Sequence, residues 1–162
     1  MDRRTFLKTG VAGLLTRLFG IGSARAEEPS EETFEVTKTD QEWRTLLTSE
    51  QYAVLREEAT EPPFKNQYHK NKTHGVYFCA GCDLALFASE AKYDSHTGWP
   101  SFWRPIEPAA VRTKTDWKLL YPRTEVHCRR CGGHLGHLFD DGPPPTRLRY
   151  CINSASLKFM PT

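Results

Sequence analysis

Four of the five cysteines in this chain of 162 residues fall into two pairs, Cys79-Ala80-Gly81-Cys82 and Cys128-Arg129-Arg130-Cys131. A C-x-x-C turn directs two sulfurs at one point. Two such turns facing each other make the tetrahedral four-sulfur cage that zinc prefers. The rival reading is redox, with one or both pairs cycling between dithiol and disulfide, above all in an oxidising compartment. A thioredoxin-like redox motif usually comes singly in a βαβ setting, and that setting is absent here. The quartet Cys79, Cys82, Cys128 and Cys131 is therefore expected to hold one structural zinc per chain. Four thiolates leave no open position for substrate or water, so the ion would stabilise rather than catalyse.

The fifth cysteine, Cys151, is then the only thiol free to react. An unpaired cysteine can also be a small buried hydrophobe. If residues 148–153 form a strand, alternation places Arg149, Cys151 and Asn153 on one face and Leu148, Tyr150 and Ile152 on the other, apolar one. A cation and an amide beside the sulfur favour the thiolate, the form that attacks. Two histidines follow the second cysteine pair directly, in His134-Leu135-Gly136-His137. A regular strand would point them to opposite faces, but Gly132, Gly133 and Gly136 could bend the backbone and bring one of them to the thiol as a proton donor. His127 adjoins Cys128 and could merely be exposed. The run Gly98-Trp99-Pro100-Ser101-Phe102-Trp103 is dense in aromatics. Core packing claims most such rings, while one exposed indole would make a floor for an apolar, polarisable group.

The rest of the chain has to position these groups. Its composition, 38% hydrophobic and 26% charged, is that of a globular protein of one domain. The formal charge of +2 is uneven. Residues 1–26 hold five basic residues and one acidic one, which leaves the remainder mildly acidic and without a footprint for nucleic acid. Asp2-Arg3-Arg4-Thr5-Phe6-Leu7-Lys8 resembles a twin-arginine export motif. A weakly apolar stretch follows, too short and interrupted to span a bilayer, and then an Ala24-Arg25-Ala26 cleavage site. The expected layout is an export signal over 1–26, a linker over 27–37 and the functional domain over 38–162, placed in the periplasm or otherwise exported. Thr39 or Asp40 caps a short helix through Leu47, and Ser49 caps a second bearing Tyr52, Val54 and Leu55. Beyond Pro63, short segments such as 75–78, 117–121 and 148–153 predict an antiparallel β body.

Several longer motifs point further. Tyr93-Asp94-Ser95, Gly98-Trp99-Pro100-Ser101-Phe102, His134-Leu135-Gly136-His137-Leu138-Phe139, Asp141-Gly142-Pro143 and Arg149 to Leu157 together resemble the signature of the methionine-R-sulfoxide reductase B family. Residues 50–64 resemble its N-terminal segment, so the likeness runs from about 38 to 159. It implies a mainly β fold of two antiparallel sheets with short N-terminal helices, stapled by the zinc site. It implies an oxidoreductase that reduces the R epimer of methionine sulfoxide in oxidised proteins, in protein repair under oxidative stress. By that resemblance Cys151 is the nucleophile, Trp99 and Phe102 bind substrate, and His134 and His137 contact the sulfoxide oxygen, one supplying a proton. Arg149 and Asn153 support the thiolate and the geometry.

Two positions depart from the pattern. Many members carry a resolving cysteine where this chain has Thr97, so the expected cycle uses one cysteine and an external, thioredoxin-like or other thiol. Arg147 stands where the family often has glycine. A non-enzymatic zinc-stapled β binding module and a thiol oxidoreductase acting on disulfides are the competing functions; the latter needs a dithiol that the zinc reading removes.

Overall fold

The computed structural model describes residues 32–162, and the expected export signal over 1–26 lies outside the described residues. Two helices open the chain, α1 (Asp40–Leu46) and α2 (Ser49–Glu57). Thr39 caps α1 and Thr48 caps α2, one residue before the expected Ser49. Each is a full capping box, with Glu42 and Gln51 reaching back to the cap backbone. Helices of seven and nine residues are not stable alone. They are held by burying Trp43, Leu47, Tyr52, Val54 and Leu55 against the body.

Nine strands follow among the described residues, in two antiparallel sheets. The smaller orders β2 (Ala85–Ala88), β1 (Gly75–Cys79) and β9 (Leu157–Pro161). The larger orders β3 (Lys92–Tyr93), β4 (Ser101–Phe102), β8 (Arg149–Ile152), β7 (His134–Phe139), β6 (Arg123–Cys128) and β5 (Val111–Asp116). The mainly β, two-sheet architecture with short N-terminal helices is the one expected. Between the sheets Phe102 packs against two rings, with Phe87 stacked on it at 4.4 Å and Tyr77 edge-on to it at 5.1 Å. Leu86, Leu135, Val126 and Ile152 complete the core.

One expected strand is not one. Residues 117–121 form the exposed turn between β5 and β6, and Trp117, Leu119, Leu120 and Tyr121 face solvent. The strand is instead the polar run Val111–Asp116, whose middle residues are exposed at the sheet edge. Apolar content misleads there because an edge strand needs charge rather than apolar surface.

The bend between the two histidines comes from a β-bulge. On β6, Val126 pairs with Gly136 while His127 pairs with His134, so Leu135 is an extra residue on β7. An inserted residue reverses the alternation beyond it, which puts His134 and His137 on the same face. Their ring centroids are 5.4 Å apart. Gly136 serves a different need: a Cβ there would lie 2.0 Å from the carbonyl oxygen of Cys151 on β8. Gly136→Ala must push β7 from β8 and is expected to cost about 2–3 kcal/mol. Chemical denaturation measures this, and an unchanged midpoint would contradict it.

Candidate active site and metal centre

Cys79 ends β1 and Cys128 ends β6, so each C-x-x-C turn continues a strand of a different sheet. The two turns have the same backbone pattern although their flanks differ. Cys79 N–H donates to Leu84 O and Asp83 N–H to Cys79 O; Cys128 N–H donates to Gly133 O and Gly132 N–H to Cys128 O. In both, the residue after the second cysteine takes left-handed φ, 58° at Asp83 and 68° at Gly132. Arg130 donates to Cys82 O and Arg56 to Cys131 O, each at 3.0 Å.

All four sulfurs lie within 4.8 Å of one another. Cys79 Sγ is 3.7 Å from Cys131 Sγ, and Cys82 Sγ is 3.5 Å from Cys128 Sγ. A tetrahedron with zinc–sulfur arms of about 2.3 Å has edges of about 3.8 Å. The donor set fits that ion. Crowding pushes the Cys79 and Cys131 thiols up and holds Cys128 down, the mark of sulfurs competing for one set of protons. Phe34 and Val36, within the expected 27–37 linker, also reach this region: Phe34 lies edge-on to His127, and Val36 N–H donates to Arg130 O. His127 is buried rather than exposed, because β6 is an inner strand of its sheet.

Cys151 lies apart from this cluster, half-buried on β8 between Ser101 of β4 and His137 of β7. The core face is as the alternation requires, with Tyr150 and Ile152 buried. A cavity of about 130 Å³ opens on the sulfur, lined by Thr60, Trp99, Arg123, Gly136, His137, Phe139, Cys151 and Asn153. Trp99 is pinned by its indole N–H, which donates to Glu61 O at 3.0 Å. Asn153 is fixed from both ends: its amide donates to Leu135 O and accepts from Glu61 N–H.

The remaining expected residues sit around this cavity rather than in it. His134 is buried behind His137, with Nδ1 3.1 Å from a Glu125 carboxylate oxygen. Arg149 makes a two-point pair with Asp141, at 2.7 and 2.8 Å, over the Phe139 ring. Phe102 is a correction. It is fully buried between Phe87 and Tyr77 and does not line the cavity. Its register explains why: Ser101 pairs with Cys151, while Phe102 pairs with Tyr150 on the core face.

The electrostatics differ from expectation at the thiol. Burial pushes the Cys151 thiol up, against the opposing pull of Arg149, Thr97 and Ser101. The cation is there, but Asp141 shares its charge, and desolvation wins. His137 is pulled below the usual imidazole value by burial, opposed by its hydrogen bond to Asp116 at 2.8 Å. Asp116 also accepts from Arg123, at 2.6 Å, and from Lys118 N–H. Those bonds hold its carboxyl well below the usual range, the Lys118 backbone contributing most.

Sequence reasoning missed Asp116, Arg123 and Glu61. Asp116 and Arg123 are a cross-strand pair that exists only in the β5–β6 register. Glu61 is a buried carboxylate accepting from the Ser154 and Ala155 N–H groups, at 2.6 and 2.8 Å, across more than ninety residues of chain. Its only local sign is an acidic residue beside Pro62-Pro63.

Residues 47–161 match the SelR domain family. A protein named peptide methionine sulfoxide reductase MsrB from Leptospira interrogans is 52% identical over 126 residues, covering 78% of this chain and 96% of that protein. Proteins of the same name from Hahella chejuensis and Thiobacillus denitrificans are 53% and 55% identical, each over 124 residues and 76% of this chain, covering 89% and 94% of theirs.

Proposed function

Since the chain belongs to the SelR-domain family of peptide methionine sulfoxide reductases, and so acts on methionine sulfoxide in oxidised proteins, we propose that it reduces the R epimer through Cys151 alone. The observation that carries this is a free thiol, an indole and an imidazole converging on one cavity of about 130 Å³. That space holds about four water-sized groups, which matches a methylene, a sulfur, an oxygen and a methyl.

The substrate methyl rests on Trp99, and the sulfoxide oxygen points to His137. Cys151 loses its proton as its sulfur attacks the sulfoxide sulfur, and His137, with His134 behind it, relays a proton to the oxygen. Oxygen passes to the cysteine sulfur: thiolate, sulfoxide and one proton become sulfenic acid and thioether. The sulfenic acid is one rung up the oxidation ladder and reducible by thiols. With Thr97 in place of a resolving cysteine, an external thiol completes the cycle. Asp116 orients His137, and Arg149 and Asn153 set the sulfur's surroundings. Zinc, held by Cys79, Cys82, Cys128 and Cys131, would fasten the two sheets together and take no part in the chemistry.

In this reading residues 1–26 are a twin-arginine export signal, 27–37 a tether whose last residues dock on the body, and 38–162 the reductase domain working outside the cytoplasm. Turnover of each sulfoxide epimer of a blocked methionine, with dithiothreitol as reductant, tests the specificity. Activity on R alone is expected; comparable activity on S would refute it.

A further inference from the structure

Two separate spaces lie near Cys151, which lines the first and is linked to the second through Thr97. One is the cavity lined by Trp99, Gly136, His137 and Asn153. The other is an open recess of about 340 Å³, whose walls include Tyr93, Ser95, Thr97, Asp141 and Arg149. No residue lines both. Thr97 is the partition: it faces the recess, and its Oγ1 lies 4.0 Å from Cys151 Sγ. Ser95 braces it, bonding Thr97 Oγ1 at 2.8 Å and Ser101 Oγ at 2.7 Å.

We propose that the recess behind Thr97 admits the thiol that restores Cys151, so that reductant and sulfoxide reach the same sulfur from opposite sides. This rests on the reading of Cys151 as nucleophile. The transferred oxygen arrives from the cavity, so the S–OH bond of the sulfenic acid points there. A thiolate attacking that sulfur must come in line, from behind the bond being broken. One sulfur–sulfur bond forms, the S–O bond breaks, and hydroxide leaves with a proton as water on the cavity side. A second thiol then attacks the mixed disulfide on the donor's sulfur, giving the donor disulfide and free Cys151. The polar lining of hydroxyls, carboxylates and a guanidinium suits a hydrated thiol rather than an apolar side chain. A small dithiol and a cysteine on a reductant protein share this chemistry.

The test separates the half-reactions. Without reductant, the wild-type enzyme should release one methionine per chain; no release would sink the proposed function itself. Thr97→Val removes the hydroxyl without adding bulk and sets the loss common to both half-reactions; relative to it, Thr97→Phe should keep the stoichiometry of methionine release while slowing sulfenic acid reduction about tenfold or more. Slowing with dithiothreitol alone assigns the recess to small thiols, and slowing with a thioredoxin-type protein alone assigns it to a protein cysteine. Either supports the proposal. Blocked methionine competing with the thiol, or Thr97→Phe slowing both half-reactions equally or neither, would overturn it.

Discussion

Replacing Cys151 by serine should lower turnover by about 10³-fold or more. A hydroxyl is far from ionised at neutral pH and is a poor nucleophile toward sulfur, and no other described cysteine lines the cavity. The same change should leave the fold nearly untouched. Cys151 is half-buried and its backbone, not its side chain, makes the pairings to Ser101 and His137. Serine differs by one atom, so the thermal midpoint should move by no more than about 3 °C. Activity and melting measured on one preparation check both halves. Full turnover in Cys151→Ser would contradict the assignment of Cys151 as the nucleophile.

Breaking the quartet should do the reverse. Cys128→Ser removes a thiolate at the point where β6 of the large sheet meets β1 of the small one. Trp43 and Leu55 of the helices press against the turns at Gly81 and Gly133, so their burial depends on the turns staying closed. Structural zinc contributes about 10 kcal/mol or more in domains that have little else. This domain has an aromatic core of its own, and a loss of about 4–5 kcal/mol, a fall in midpoint of roughly 15 °C, is the expected scale. Thermal unfolding with elemental analysis reads this. A variant lacking zinc yet melting with the wild type would show that the four sulfurs are not a staple.

The contrast between these variants follows what sequence could and could not reveal. The quartet was legible because C-x-x-C is a local geometry, and the antiparallel body because short β segments alternate with turns. The surroundings of Cys151 were legible in part: alternation along β8 gives the core face correctly. It cannot tell that burial outweighs Arg149, since Asp141, eight residues away, takes up the guanidinium. His134 and His137 come together through a bulge, and a single inserted residue leaves no compositional trace. Asp116 and Arg123 are brought to His137 by hairpin register, and Glu61 reaches Ser154 across the fold. Apolar residues at 117–121 signalled a strand where the chain reverses. Arg147 shows the converse: it takes φ 62°, a conformation glycine adopts freely and arginine at a cost of about 1 kcal/mol, so the substitution is absorbed within the turn closed by Gly142 and Pro143.

The division of the five sulfurs is tested most directly by a mass map of the enzyme oxidised by one equivalent of methionine-R-sulfoxide and trapped with a sulfenate-specific reagent. A single adduct on Cys151, with Cys79, Cys82, Cys128 and Cys131 unmodified and zinc retained, is the expected result. A disulfide joining Cys151 to any of those four, with zinc released, would contradict it.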